Sequence, residues 1–313
     1  MTVLMLAEAG DATADLMAAE LQRRGPAVSR VDTADFPRRL RMVAPPGAGC
    51  LWIDGYGVHL TEVRSVYRRS PAFFDMAPRM SAPERRFAEA EAVQGFGGAL
   101  AAALRCPWIN HPSRVADATY KPVQLDVAAT VGMRVPRTLI TNDGKAAAAF
   151  AAEVGQVIYK PMSLGVIAEQ SLVHVVNATR LSTADIDPVA IGRTACMFQE
   201  WVPKTYDVRL TAVGRKCFAV AIRTDDRAAH ADWRANFDAL AYEIVHVPDD
   251  IRVQVAAYLD RFGLLFGAFD FSVTDDAWWF LECNPNGQWG WLQEETGLPI
   301  AAALADLLTG ADQ

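Results

Sequence analysis

An acidic and an amide side chain stand two positions apart in the segment FLECNPNGQW, residues 280–289. In a strand, Glu282 and Asn284 project from the same face because side chains alternate between the two faces. The preceding apolar stretch contains Asp270, and a hairpin with the three-residue loop 275–277 places Asp270 opposite Glu282. Opposed like charges, with Cβ atoms about 4.5 to 5.5 Å apart, are destabilising unless a cation neutralises them. The oxygen ligands Asp270, Glu282 and Asn284 therefore predict a site for Mg²⁺, with Mn²⁺ as the alternative, of the kind that bridges to nucleotide phosphates.

The alternative interpretation is a solvated acidic rim, in which Asn284 forms a turn before Pro285. Aromatic neighbours such as Phe269 and Phe271 disfavour it, because burying unneutralised carboxylates among apolar side chains is costly.

Lysine is scarce, with only five residues in the chain, so each one needs an explanation. Lys160 ends an apolar strand and is followed by the loop 161–166, whose small residues suit a cover over phosphates. Lys121 stands near the start of a helix and supplies a second candidate for phosphate binding. The alternative for either lysine is a surface salt bridge.

The segment MFQEWVPK, residues 197–204, suits a nucleoside. We expect the backbone of the segment from Gln199 through Trp201 to Val202 to read an adenine edge, and the Glu200 carboxylate to accept from a ribose hydroxyl. Alone, the pattern is common strand sequence. The next segment, YDVRL, puts Asp207 and Arg209 on one face of a strand. Arg223 on the return strand is expected close to Asp207.

Helices and strands predicted along the chain must position these residues. Residues 1–114 alternate strands and helices, with a helix from Asp11 or Thr13 to Gly25, and indicate a βαβ-like opening domain. The middle third has a helix near 121–131 and a helix–strand unit that ends at Lys160. The final third is rich in hairpins, which we place at 208–213 with 217–223 and at 264–274 with 278–282.

Composition narrows the function classes. The chain has 313 residues, a net charge of −7 and five dispersed cysteines without a C-x-x-C pair. These features argue against nonspecific nucleic-acid binding, a zinc site and a disulfide framework. The sequence shows neither a basic leader nor an apolar stretch of membrane length, so we expect a cytoplasmic protein without a membrane partner. The motifs G-x-S-x-G and H-E-x-x-H do not occur, which gives hydrolase triads and zincins little support.

Taken in order, these features resemble the ATP-grasp carboxylate–amine ligases of the RimK and glutathione-synthetase type. The features are a lysine at a strand end, Q-E-x-V, D-x-R, an Arg-x-Asn at 234–236, Asp270 and E-x-N. Further stretches resemble the ATP-grasp ribosomal peptide maturases that make microviridin-like graspetides: EVRSVYRRSP (62–71), INHPSRVADATYKPVQLDVA (109–128), VPRTLITN (135–142), VIYKP (157–161) and LECNPNGQWGWLQEETGLPIAAALADLL (281–308).

The resemblance implies an α/β (α+β) ATP-grasp fold of three subdomains, 1–114, 115–197 and 198–313, with the nucleotide between the central and C-terminal ones. It implies an ADP-forming ligase that phosphorylates a side-chain carboxylate of a precursor peptide and closes a macrolactone or macrolactam. The implied nucleotide contacts are Lys121, Lys160, Glu200, Trp201, Val202, Asp207, Arg234 and Asn236. Arg209 and Arg223 would stabilise the acyl phosphate, which makes them the catalytic candidates. The loop after Lys160 contains only Gly165, fewer glycines than many ATP-grasp loops have.

Peptide contact is expected from VRSVYRRSP and NGQWGW, whose arginines would meet an acidic core that follows a leader. The candidates are Arg64, Tyr67, Arg68, Arg69, Trp233, Asn286, Gln288 and Trp289. The alternative for the arginine-rich segment is a basic surface loop packed on aromatic residues, and the alternative for Trp233 and Trp289 is a place in the core. The oligomeric state stays open, with a homodimer as one option.

Two rival functions remain. A RimK-like ligase that adds a free amino acid to a peptide or protein terminus would use the same ATP site. A regulatory protein that holds ATP without turnover would retain the nucleotide contacts, but the intact set of Asp270, Glu282, Asn284 and Arg223 argues against it.

Overall fold

The computed structural model describes residues 2–163, 165–169, 172–226, 229–230 and 232–311. Two compact units share the chain. Unit 1 comprises Met1–Val115, Gly263–Gly267 and Pro285–Gln313, and unit 2 comprises Ala116–Phe262 and Ala268–Asn284. The prediction of three subdomains is a different division of the chain and stays a prediction.

Unit 1 contains a parallel sheet of four strands in the order β2-β1-β6-β7. An antiparallel sheet, β3-β4-β5, accompanies it. The strands are β1 (Thr2–Leu6), β2 (Ala27–Val31), β3 (Leu40–Val43), β4 (Cys50–Ile53), β5 (Tyr56–His59), β6 (Val63–Arg68) and β7 (Trp108–Ile109).

The first helix of unit 1 begins and ends at the residues that the sequence indicates. Asp11 is its N-cap and accepts from the backbone N–H of Ala14 at 2.9 Å. Gly25 ends the helix with φ +89°, a conformation that glycine adopts without strain. The helices are α1 (Ala12–Arg24), α2 (Ala82–Ala92), α3 (Gly98–Ala103) and α4 (Pro112–Thr119), whose last residues lie in unit 2, and near the C-terminus α9 (Gly290–Thr296) and α10 (Ile300–Thr309).

Unit 2 contains two sheets and a hairpin. One sheet has the order β12-β9-β13-β8, the other the order β16-β15-β14-β17-β18, and β10 pairs with β11. The strands are β8 (Thr138–Thr141), β9 (Val157–Lys160), β10 (Val166–Glu169), β11 (Leu172–Val175), β12 (Thr179–Leu181), β13 (Cys196–Glu200), β14 (Tyr206–Val213), β15 (Lys216–Arg223), β16 (Ala241–Ile244), β17 (Phe266–Val273), which starts in unit 1, and β18 (Trp278–Asn284). The helices are α5 (Lys121–Thr130), α6 (Gly144–Val154), α7 (Pro188–Ile191) and α8 (Asp249–Phe262).

One face of the five-stranded sheet is closed by aromatic packing. Tyr258 of α8 is fully buried, with its ring centroid 5.1 Å from that of Phe269 and 5.5 Å from that of Phe280. Because side chains alternate along a strand, Asp270 projects from the opposite face. The apolar run therefore anchors the hairpin on α8 and turns its polar residues towards the candidate site.

The hairpin of β17 and β18 differs in register from the prediction. Val273, rather than Thr274, pairs with Trp278, so the turn is one residue longer than expected. A β-bulge further along shifts the pairing back by one residue, and Asp270 pairs with Glu282. The predicted juxtaposition of the two carboxylates is thus observed, although it arises from two irregularities that the sequence analysis missed.

No helix among the described residues is both long and apolar enough to cross a lipid bilayer.

Candidate functional site

The two paired carboxylates are held by basic side chains. Arg209 Nη1 donates to Asp270 Oδ1 at 2.8 Å, and Arg234 Nη2 donates to Asp270 Oδ2 at 2.5 Å. The same Arg234 nitrogen lies 3.1 Å from Glu282 Oε1, and Lys121 Nζ lies 2.9 Å from Glu282 Oε2. Each of the four carboxylate oxygens therefore contacts a cationic group.

This arrangement sets the ionisation of Glu282. Burial favours a higher pKa for the carboxyl, but the charges of Lys121, Arg234 and Lys160 outweigh it and hold the pKa well below its ordinary value. Sequence reasoning identified the need to neutralise the pair but assigned that role to a metal alone. The side chains that meet it in the structure come from three distant parts of the sequence, which no local pattern brings together.

The donor set of the pair fits a hard divalent cation. Asp270, Glu282 and the exposed Asn284 offer only oxygen ligands from two adjacent strands, as Mg²⁺ and Mn²⁺ prefer. Within the described part of the chain, no group of three or more His, Cys, Asp or Glu side chains converges on a metal position. A metal here would thus be held by two carboxylates and an amide, with its remaining ligands supplied by water or phosphate.

Gln124 is a positioning residue that sequence reasoning missed. It is buried, its Oε1 accepts from the backbone N–H of Cys283 at 2.9 Å, and its Nε2 donates to the Cys283 carbonyl at 2.8 Å. Cys283 lies between Glu282 and Asn284, so these bonds fix the backbone that carries both side chains. The available signal was spacing: Gln124 follows Lys121 by three residues on α5, which places both on one helix face.

Lys160 ends β9 beside the same cluster. Its Nζ donates to Gln199 Oε1 at 2.9 Å, and burial lowers the pKa of the ammonium to about 8. The carbonyl of Pro161, in the following loop, accepts from Lys121 Nζ at 2.8 Å. The structure therefore brings both predicted phosphate-binding lysines to one place; Leu164 of the predicted phosphate loop lies outside the described residues.

The predicted nucleoside segment borders a cavity of about 340 Å³ within unit 2. Val202 is buried, and Trp201 lies beneath the guanidinium of Arg180, 4.3 Å from the ring centroid. Sequence reasoning did not find the opposite wall, which the hairpin turn supplies. The lining consists of Glu200, Trp201, Val202, Pro203, Thr205, Thr274, Asp275, Asp276 and Trp279.

The carboxylate of Asp207 is bonded to side chains of the protein itself. Lys204 Nζ lies 2.5 Å from its Oδ2, and the hydroxyl of Ser272 donates to Oδ1 at 3.0 Å. The side chain is 8% exposed, so its predicted contact with the nucleotide requires a change in these bonds.

The structure does not bring Arg223 to Asp207, contrary to expectation. Asp207 pairs with Ile222, and the next residue along β15 projects from the other face of the sheet. Arg223 instead donates to Glu243 at 3.1 Å and lies over the ring of Tyr206, 4.2 Å from its centroid. Of the two catalytic candidates, only Arg209 contacts the carboxylate cluster.

The Arg-x-Asn segment contributes Arg234, which stacks on Trp233 at 4.6 Å from the ring centroid. Trp233 is buried, so it supports the guanidinium and presents little surface to a peptide. Asn236 is half-buried and precedes a short 3₁₀ turn.

Several predicted peptide contacts are buried in the core of unit 1. Trp289 is fully buried and its Nε1 donates to the hydroxyl of Tyr67 at 3.0 Å. Arg69 is also buried; its Nη1 donates to the carbonyl of Asn286 at 2.7 Å, and Asp11 lies 3.5 Å from its Nε. These side chains hold the loop after β18 in place, and their burial leaves no surface for direct peptide contact.

Other predicted peptide contacts lie nearer the surface of unit 1. Arg64 is exposed and donates to the carbonyl of Thr309 at the end of α10. Arg68 is half-buried at the end of β6, and burial lowers the pKa of its guanidinium. Gln288 is exposed and borders a cavity of about 440 Å³. This cavity also contains residues that follow β1 and β6, and the carboxyl ends of adjacent parallel strands are a common place for ligands.

Known proteins resemble the chain in sequence and in structure. Residues 127–276 match the model of the prokaryotic glutathione synthetase ATP-grasp domain, whereas no curated protein matches the sequence.

Solved structures match over the whole chain. Macrocyclase MdnC bound with precursor peptide MdnA from Microcystis aeruginosa MRC is 26% identical, with a TM-score of 0.89 over 99% of this chain and 100% of that one. A RiPP-associated ATP-grasp ligase from Chryseobacterium gregarium, in complex with ADP and a leader and core peptide, is 22% identical, with a TM-score of 0.92 over 99% and 97%. ATP-grasp ligase PsnB, complexed with a phosphomimetic variant of its minimal precursor, Mg and ADP, is 22% identical, with a TM-score of 0.80 over 100% and 98%. Together with the geometry above, these matches show that the protein has the ATP-grasp fold and is an ATP-dependent ligase.

Proposed function

We propose that the protein activates side-chain carboxylates of a ribosomal precursor peptide and closes ester or amide crosslinks within that peptide. The observation that carries the proposal is the similarity over nearly the full length of both chains to a macrocyclase bound with its precursor peptide. ATP and a divalent metal are the cofactors implied by similar structures with Mg and ADP, and we assign Mg²⁺, with Mn²⁺ as the alternative.

Different residues of unit 2 bind the nucleoside, the phosphates and the metal for phosphoryl transfer. The segment Glu200 to Val202 holds the nucleoside, and Lys121 with Lys160 binds the phosphates. Asp270, Glu282 and Asn284 hold the metal, which supplies charge neutralisation for the transferring phosphoryl group. Phosphoryl transfer is mainly positioning and charge stabilisation, so a cluster of four basic groups around two carboxylates suits it.

The reaction balances as two steps. A peptide carboxylate oxygen attacks the terminal phosphorus of ATP, so that an acyl phosphate forms and ADP leaves. A hydroxyl or lysine amine of the same peptide then attacks the acyl carbon, loses its proton, and inorganic phosphate leaves. Of the two arginine candidates for binding an oxygen of the acyl phosphate we retain Arg209, because it lies in the carboxylate cluster, 2.8 Å from Asp270; its 6% exposure means that this bond must change when the acyl phosphate binds. Each ring removes one water from the peptide.

The peptide partner carries a leader and an acidic core. In unit 1 we assign peptide contact to Gln288, Arg64 and Arg68, which keep accessible surface. The reaction belongs in the cytosol, where ATP is supplied and where the five cysteines, all free in the structure, stay reduced. A homodimer remains the option to test by light scattering.

The direct test is to incubate the purified protein with ATP, Mg²⁺ and candidate acidic precursor peptides that contain Thr and Lys. We expect mass spectrometry to show an ATP-dependent loss of one water from the peptide per ring. The product should resist the fragmentation that a linear peptide undergoes. The matched control is Glu282→Gln, which removes one negative metal ligand and should abolish turnover. Unchanged activity of that variant would overturn the metal assignment.

The RimK-like alternative predicts another product from the same ATP site. A mass gain equal to one amino acid residue, together with ADP release that depends on a free amino acid, would replace macrocyclisation by terminal ligation. ATP binding without peptide-stimulated ADP formation would instead favour a regulatory protein.

A further inference from the structure

We infer that Arg234 occupies the position between Asp270 and Glu282 that a bridging metal would take, and that it excludes free metal from the nucleotide-free enzyme. The metal then enters only together with a nucleotide, whose phosphates draw Arg234 away. The inference rests on the proposed metal and nucleotide site.

The geometry singles out one bridging nitrogen. Arg234 Nη2 lies 2.5 Å from Asp270 Oδ2 and 3.1 Å from Glu282 Oε1, so one atom of the guanidinium contacts both carboxylates. The other oxygens of the pair contact Arg209 and Lys121. A metal that bridges Asp270 Oδ2 and Glu282 Oε1 would take the position of Arg234 Nη2 and must therefore displace that side chain.

Arg234 is the side chain most able to leave. Its side chain is 39% exposed, whereas that of Arg209 is 6% exposed in the middle of β14. Lys121 is 21% exposed and also donates to the carbonyl of Pro161. Arg234 lies on a short 3₁₀ segment, Trp233–Ala235, outside the sheet, and its remaining described contacts are the carboxylate of Asp232 at 3.4 Å and the ring of Trp233.

Charge explains the order of binding. Asp270 and Glu282 are already paired with three cationic groups, so their negative charge is neutralised and attracts a bare divalent ion only weakly. A nucleotide brings several negative charges with the metal, and its phosphates offer the guanidinium charge-assisted and bidentate hydrogen bonds that replace those to the carboxylates. The same arginine thus serves the metal ligands in one state and the phosphates in the other.

The test measures Mn²⁺ binding by electron paramagnetic resonance, without and with ADP. We expect the wild-type protein to bind Mn²⁺ at least tenfold more weakly without ADP than with it. Arg234→Gln should bind Mn²⁺ alone at least tenfold more tightly than the wild type and should bind ADP more weakly. The matched control is Arg215→Gln, which removes an exposed arginine paired with Asp260 at 2.9 Å and should leave Mn²⁺ affinity within twofold.

Salt separates occlusion from a general charge effect. At 1 M KCl the Debye length falls to about 3 Å, so the effects of exposed charges beyond that distance are largely screened, whereas the partly buried contact of Arg234 with Asp270 is screened much less. Two results would overturn the inference. In one, Arg234→Gln binds Mn²⁺ more tightly than the wild type at low salt but not at high salt. In the other, the two proteins already bind Mn²⁺ within twofold of each other at low salt. Arg234→Lys keeps the charge and should retain the fold. Its Mn²⁺ affinity is expected to lie between those of the wild type and Arg234→Gln. Because the readout is metal binding without peptide, a failure here leaves the proposed ligation untouched, and a failure to ligate leaves this result valid.

Discussion

At the scale of single residues, the candidate site is a balance between carboxylates and cations. The sequence identified Asp270 and Glu282 as a pair that needs neutralising, because their residue types and the strand period are local properties. It could not assign the neutralising side chains, because Arg209, Arg234 and Lys121 are brought to the pair only by tertiary packing. The sequence also could not predict burial, because an aromatic residue such as Trp289 suits a core and a peptide-binding surface equally well.

Lys160 gives the site a pH dependence with a definite sign. Its pKa of about 8 means that the ammonium loses its proton as the pH rises through that value. Since phosphates are bound by the charged form, the association constant for MgADP should be flat below pH 8 and fall above it, by up to about tenfold per pH unit. Isothermal titration between pH 7 and 9.5 measures this dependence.

Lys160→Arg provides the control, because arginine stays protonated throughout this range. The variant should lose the decline in affinity between pH 8 and 9.5. A decline of the same size in both proteins would show that loss of the Lys160 proton is not its cause.

Tyr67 tests whether the buried residues of unit 1 act on structure or on substrate. Tyr67→Phe removes the acceptor for Trp289 Nε1 and should lower the free energy of unfolding by about 1 kcal/mol, measured with urea. The KM for the peptide should stay within twofold of the wild type. A raised KM without a loss of stability would restore Tyr67 as a peptide contact.

At the scale of elements, the hairpin of β17 and β18 shows what a pattern can and cannot predict. Its existence and inward face follow from alternating side chains around Phe269 and Phe271. Its register does not, because turn length and bulges depend on packing against neighbouring strands. The observed pairing of Asp270 with Glu282 therefore agrees with the prediction, although the turn length and register from which we predicted it were wrong.

Helix α5 is the element that holds the end of this hairpin, through Gln124. Gln124→Glu removes the two N–H groups that bond the carbonyls of Cys283, at 2.8 Å, and Ala118, at 2.6 Å, and buries a charge in their place. We expect a loss of at least about 2 kcal/mol in the free energy of unfolding. We also expect weaker Mn²⁺ and ADP binding, because Glu282 and Asn284 flank the released backbone.

The matched control is Gln22→Glu, the same substitution at an exposed glutamine of α1. Its effect on stability and on ADP affinity should be small. If the two variants behave alike, Gln124 has no special part in positioning the metal ligands.

At the scale of the whole molecule, the chain alternates between units. Five segments make up the two units, so the chain passes between them four times. The sequence predicted a boundary near residue 114 from the end of the βαβ-like pattern. It gave no sign that 263–267 and 285–313 return to unit 1, because such returns are set by pairing and packing across long separations rather than by composition.

Asn110 anchors these returns within unit 1, which makes it the residue on which we expect the integrity of the unit to depend most. Its Nδ2 donates to the carbonyls of Phe266 at 2.8 Å and Pro285 at 2.7 Å, and its Oδ1 accepts from the N–H groups of Leu265 and Phe266. Asn110→Asp keeps the shape but leaves two buried carbonyls facing a carboxylate, so the free energy of unfolding should fall by at least about 2 kcal/mol in urea denaturation. Asn142→Asp, the same change at an exposed position, should stay within about 0.5 kcal/mol. Lowering the pH should narrow the gap between the two variants, because protonation of the introduced carboxylate restores one donor to the buried carbonyls; a gap that widens in acid would show that the lost N–H groups are not its cause.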